Sequence, residues 1–208
     1  MASPRDAATG APLGGPVRLL SYADESMRTV PGAATAVYIL AAAIVAEDRC
    51  AGVRDQLRPL VRRGQGQLHW RDEHQARREV IAKTLATVGV DSVVVIGNMI
   101  DTRKQERARR LLLGHLLGEL DRRQVAALMS ESRHAERDRH DLRAVGGFRN
   151  QRRVSRRLVV GHARPVQEPL LWVPDAVAGA VGDGRCGQPR CLRMLTGLVE
   201  VLDVGPVT

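Results

Sequence analysis

Two strand-like runs follow one another directly, and this constrains the fold more than any other feature of the chain. "PVRLLSYAD" (16–24) is compatible with a strand, and "TAVYILAAAIV" (35–45) with a second one rich in aliphatic and β-branched residues. The linking "ESMRTVPGAA" carries Pro31 and Gly32, a turn signal, so the pair is predicted to form an antiparallel hairpin with a longish loop. From Glu47 the period changes. Val53, Leu57, Leu60 and Val61 recur at helical spacing, then Ala76, Val80, Ile81, Leu85 and Val88 fall on one helical face that Gly89 should end. "DSVVVIGNMI" reads as a central strand covered on both sides, and 103–120 as a charged, leucine-bearing helix. "QVAALMSES" predicts another strand, "AERDRHDLRAVGGF" a helix ending near Gly146, "RLVVGHA" a short strand, and "EPLLWVPDAVAGAVG" a helix with Pro174 in its first turn. A hairpin followed by alternating strands and helices argues for an α/β fold, a mixed sheet flanked by helices. With 208 residues, one domain is expected over 17–183. Residues 1–16 read as a disordered leader, and 184–208 as a tail whose structure the sequence leaves open.

The acids that interrupt apolar segments carry the chemistry. Asp24 ends the first strand, Glu131 ends "VAALMSE", and Asp175 lies among the small residues of "VPDAVAGAVG". Burial makes an isolated negative charge costly, so each is expected to be protonated, paired or metal-bound. If the first and fourth strands are neighbours and the last helix crosses their ends, the three converge. Mg²⁺ or Mn²⁺ is then the natural occupant, because such ions take oxygen ligands and leave positions for substrate phosphates. Each acid also has a plainer reading: a turn for Asp24, a surface strand end for Glu131, and a helix N-terminus for Asp175. Glu25 should point to the opposite face from Asp24, as a supporting or surface residue. Asp138 is the candidate auxiliary acid of a charged helix face, and His69 in "LHWRD" either packs or shuttles protons. Ser26 reads as a turn residue, and it stands where an aspartate-nucleophile phosphatase would place a second aspartate.

The formal charge is +9, with lysine only at positions 83 and 104. Between Arg133 and Arg164 ten arginines face Glu136, Asp138 and Asp141, a net +7. The segment is either a phosphate path, with Arg133, Arg137, Arg149, Arg152 and Arg153 as its contacts, or a salt-bridged helix face. Aromatic residues make up 2% of the chain, which argues against a base-stacking platform. Cys50, Cys186 and Cys191 complete neither a zinc set nor a disulfide framework and imply a reducing compartment. The longest apolar run, 36–46, is shorter than the roughly 20 residues a bilayer span needs, so a cytoplasmic protein with no membrane association is expected.

Four separated segments, "YADES", "LHWRD", "SES" with "RHAERDRHD" behind it, and "EPLLWVPDAVAGAVG", resemble in order the domain-of-unknown-function family numbered 3800. The resemblance spans roughly residues 17–183. It implies a ribonuclease-H-like fold with carboxylates at the sheet centre, and metal-dependent cleavage of nucleic acid by Asp24, Glu131 and Asp175. "VPD" stands where that family is associated with an "AD" pair. The alternative function is a binding module for nucleic acid or protein that keeps the fold without catalysis.

Overall fold

The computed structural model describes residues 17–29, 36–99 and 104–207. The expected leader, 1–16, lies outside them. Six strands form one sheet: β1 (Leu19–Thr29), β2 (Ala36–Ala46), β3 (Asp91–Met99), β4 (Ala127–Glu131), β5 (Val159–Ala163) and β6 (Val199–Val207). Their order is β5-β4-β1-β2-β3-β6. β1 pairs antiparallel with β2 from Leu19↔Ala46 to Thr29↔Ala36, and β2 pairs antiparallel with β3. β4 lies parallel to β1, β5 parallel to β4, and β6 parallel to β3. The predicted antiparallel pairing of the first two strands and the central β3 are therefore both present, while the expected turn at Pro31 and Gly32 lies outside the described residues. The tail, left open by the sequence, supplies the short helix α6 (Arg190–Met194) and the edge strand β6.

Each face of the sheet is covered by its own apolar core. Alternation along β2 sends Ile39, Ala41 and Ala43 to one side, where they pack with α1 (Cys50–Leu57), α2 (Gln75–Val88) and α5 (Trp172–Arg185). Tyr38, Leu40 and Ala42 go to the other side, against α3 (Gln105–Arg122) and α4 (Ala135–Asn150). Gly89 ends α2 in the left-handed conformation, φ 64°, as its position after the apolar stripe predicts. Two details differ from the sequence reading. Ala76 and Val80 are both exposed, because the buried stripe of α2 runs through Ile81, Ala82, Leu85 and Val88. α4 continues past Gly146 to Asn150, held by the burial of Val145 and Phe148 one turn apart.

The small residues of α5 bring it close to the sheet. A Cβ on Gly179 would stand 2.1 Å from Cδ1 of Trp70, and one on Gly182 would stand 2.8 Å from Cγ of Arg28. Ala176, Ala178 and Ala180 are fully buried, in the same core as the equally small Ala41 and Ala43 of β2. Close approach places Asp175, in the first turn of α5, at the ends of the inner strands.

Candidate functional site

β1 and β4 run parallel in the register Leu20↔Ala127 through Ala23↔Ser130, and the next pair along is Asp24 with Glu131. Both side chains face the α5 layer, on the same side as Tyr22 and Met129. Burial first, then the charges of Glu131 and Asp175, push the Asp24 carboxyl well above the usual carboxylate range. Burial and Asp175 also raise Glu131. The closeness of the two carboxyls raises Asp24 further and lowers Glu131, so Asp24 is the more readily protonated of the pair.

Asp175 is held from a different direction. Its Oδ2 accepts the backbone N–H of Trp70 at 2.7 Å, and Nδ1 of His69 lies 3.3 Å from its Oδ1. That contact raises the His69 pKa, and the half-exposed His69 ring is near enough to act on Glu131 as well. Trp70 is fixed by its indole N–H, which donates to Asp183 of α5 at 2.9 Å, and by the Arg78 guanidinium stacked 5.5 Å from the ring centroid. "LHWRD" is thus the clamp that aims Asp175, a role its sequence did not disclose.

The structure brings Asp24 and Glu131 together, with Asp175 near enough to repel both. Among the described residues, however, no three His, Cys, Asp or Glu side chains are grouped so as to hold a metal ion. The all-oxygen donor chemistry suits Mg²⁺ or Mn²⁺. As they stand, the carboxylates are neighbours that repel one another rather than a closed ligand set.

The other candidates lie on the opposite face of the sheet. Glu25 projects away from Asp24 and pairs with Arg109, which is buried and also grips Asp141 with Nη2 2.7 Å from Oδ2. Arg133 joins this network through Glu106 at 2.8 Å and Asp141 at 3.3 Å. Asp138 accepts the Ser132 hydroxyl at 2.6 Å and the Arg133 N–H at 3.1 Å. Both its oxygens are committed to the turn that starts α4. Arg149 is half-buried and donates to the Leu158 carbonyl at 2.6 Å. Arg153 is exposed and lies over the Phe148 ring, while Arg137 and Arg152 are also exposed. Sequence reasoning missed Arg109, although it stands at helical spacing from the buried Leu113, Leu116 and Leu120.

Three antiparallel strands, with two further strands added parallel on the β1 side, make the topology of ribonuclease H. The fold is ribonuclease-H-like. No family model matches the sequence, and no curated protein matches it. Among solved structures, the chain is similar to one in the complex of PCNA with RNase HII from Archaeoglobus fulgidus. The two are 18% identical, the match covers 82% of this chain and 75% of the other, and the TM-score is 0.45. Among the described residues no helix is long and apolar enough to cross a membrane.

The raised Asp24 pKa gives stability a defined pH dependence. Above the ordinary carboxylate pKa the unfolded chain has released the Asp24 proton while the folded chain still holds it, so rising pH removes stability until the folded-state pKa is passed. Asp24→Asn has no such loss. Its melting temperature should match wild type near pH 4 and exceed it at pH 8 by about 2–4 °C, corresponding to ~1 kcal/mol. Thermal melts across that range check this, and a difference that does not grow with pH would exclude a raised Asp24 pKa.

Proposed function

We propose that this protein is a nucleic-acid-binding module on a ribonuclease-H-like fold. The observation that carries the proposal is the state of the arginine-rich segment. Of its ten arginines, eight are exposed, all but Arg133 and Arg149. Among the described residues only Arg137 of those eight has a carboxylate partner, Glu106 at 3.6 Å. A salt-bridged helix face would have neutralised them; these guanidinium groups remain available for phosphate oxygens. The segment also borders a cleft of about 600 Å³ beside Glu131, lined by Gln67, Ser132, His134 and Arg164. The binding is sequence-tolerant, since phosphate contacts carry no base information. The four motifs support a divergent relationship to the family numbered 3800, and the reducing environment implied by three free cysteines supports a cytoplasmic setting.

Fluorescence anisotropy with single-stranded DNA, duplex DNA and an RNA–DNA hybrid tests this reading. Binding should weaken steeply with salt and persist in EDTA and in Asp24→Asn. Absence of binding to all three at low salt would overturn it.

A second reading is favoured by the juxtaposition of three acids: metal-dependent hydrolysis of phosphodiester bonds, with Asp24, Glu131 and Asp175 holding Mg²⁺ or Mn²⁺. When bound, such an ion would polarise a phosphate oxygen and a water. The chain's own part is to keep two carboxylates abreast on β1 and β4 and to aim a third through Trp70. Under this reading Mn²⁺ raises the melting temperature of wild type but not of Asp24→Asn, and nucleic acid is cleaved only by wild type. Equal stabilisation of the two proteins would remove the metal assignment.

A further inference from the structure

Helices α3 and α4 diverge on the sheet face opposite Asp24 and Glu131, and two adjoining clefts open between them. One, of about 400 Å³, is lined by Arg107, Arg110, Phe148, Gln151 and Arg153, and reaches the end of β6 at Pro206 and Val207. The other, of about 480 Å³, is lined by Arg107, Arg110, His140 and Arg143. Arg107 and Arg110 therefore stand on the rim common to both. Their spacing of three residues puts them side by side on the outer face of α3, while Arg109 between them turns into the core.

The carboxylates at these clefts are already spoken for. Asp141 is saturated by Arg109, Arg133 and His162, and Glu106 pairs with Arg133 and Arg137. Arg107, Arg110, Arg143 and Arg153 are exposed and form no ion pair with a described residue. Four guanidinium groups with no carboxylate partner among the described residues thus line one trough. Phe148 is buried beneath Arg153 at 5.1 Å, so its ring face is taken and is not offered to a base. Ion pairing with a chain of phosphates is the chemistry such a trough provides, without stacking.

We infer that the α3–α4 trough, centred on Arg107 and Arg110, is where the phosphodiester backbone of a nucleic acid strand is held. This rests on the nucleic-acid-binding reading above and locates it. The strand then lies across the sheet from the carboxylate pair, which explains why binding is expected to be indifferent to Asp24 and to chelators. Two of the anchoring residues, Arg107 and Arg110, fall outside the 133–164 segment.

The test uses the full chain and three variants: Arg107→Gln/Arg110→Gln/Arg143→Gln, the same positions as lysine, and Arg63→Gln/Lys83→Gln/Arg193→Gln as an equal loss of charge elsewhere. All these side chains are exposed, and unchanged thermal melts confirm folding. Anisotropy with a fluorescent single-stranded DNA at several salt concentrations is the readout, with inorganic polyphosphate as competitor. The trough variant should bind about tenfold or more weakly, with a salt-dependence slope reduced by about 2. The lysine variant should restore part of the affinity, and the control variant should change it severalfold less. Polyphosphate should displace the DNA from wild type. If wild type binds and the trough variant binds no more weakly than the control, the trough assignment is overturned while nucleic-acid binding stands. If wild type does not bind, both fall.

Discussion

Replacement of Arg109 by leucine will cost about 3–5 kcal/mol of folding stability, the scale of a buried ion pair stripped of one partner. Its side chain is 2% exposed, and it neutralises Glu25 of β1 and Asp141 of α4 at once. Leucine fills much of the volume and leaves two carboxylates under α3 with only Arg133 and His162 to meet them. Domains are stable by only ~5–15 kcal/mol, so the variant should be marginal at 37 °C. Urea denaturation of the single variant and of Arg109→Leu/Glu25→Gln/Asp141→Asn separates charge from packing. The triple variant should regain at least ~1 kcal/mol over the single one, because its buried groups are no longer ionised. A triple variant as unstable as the single one would show that packing, not charge, sets the cost.

Gly179→Ala should be nearly as damaging, although it adds one methyl group. The new Cβ would fall within 2.1–2.6 Å of three atoms of the Trp70 indole, a rigid ring that is itself 1% exposed. The ring or the helix must move, at a cost of about 1–3 kcal/mol or more. Displacing Trp70 also withdraws its backbone N–H from Asp175 and its indole N–H from Asp183. Trp70→Phe is the informative companion: it keeps most of the bulk and loses only the bond to Asp183, so it should cost less than Gly179→Ala. Urea melts of the two variants decide, and a Gly179→Ala protein as stable as wild type would mean that α5 does not press on Trp70 in solution.

The parts of this fold that were legible in the sequence are those where one physical period governs a whole segment. β2 and β3 declare themselves because an unbroken Ala, Val and Ile run has both faces covered, and the convergence of Asp24 with Glu131 follows once β1 and β4 are taken as neighbours. The direction of a charged side chain was harder to read. Arg109 and Arg110 are identical in chemistry, yet one is buried and the other exposed, and only their phase relative to Leu113 and Leu116 distinguishes them. The same phase places Asp141 with Val145 and Phe148 on the inner face of α4, which a count of charges along the segment does not reveal. Arg133 and Arg149 look like members of a surface stripe until the turns around them are built. β6 was opaque for another reason. As an edge strand it needs only one partner, and its alternation is too weak to separate it from a loop.

Asp24 and Glu25 are consecutive, and the pleat sends them through opposite sides of β1. A slip of one residue in the pairing of β1 that put Glu25 in the place of Asp24, beside Glu131, would withdraw it from Arg109 and move Asp24 into the place of Ala23, on the Arg109 side but two residues short of the position Glu25 had held. The adjacent acids thus act as a lock on strand alignment. Any sequence that swaps them keeps its composition and net charge while losing the one arrangement in which both halves of the molecule are satisfied.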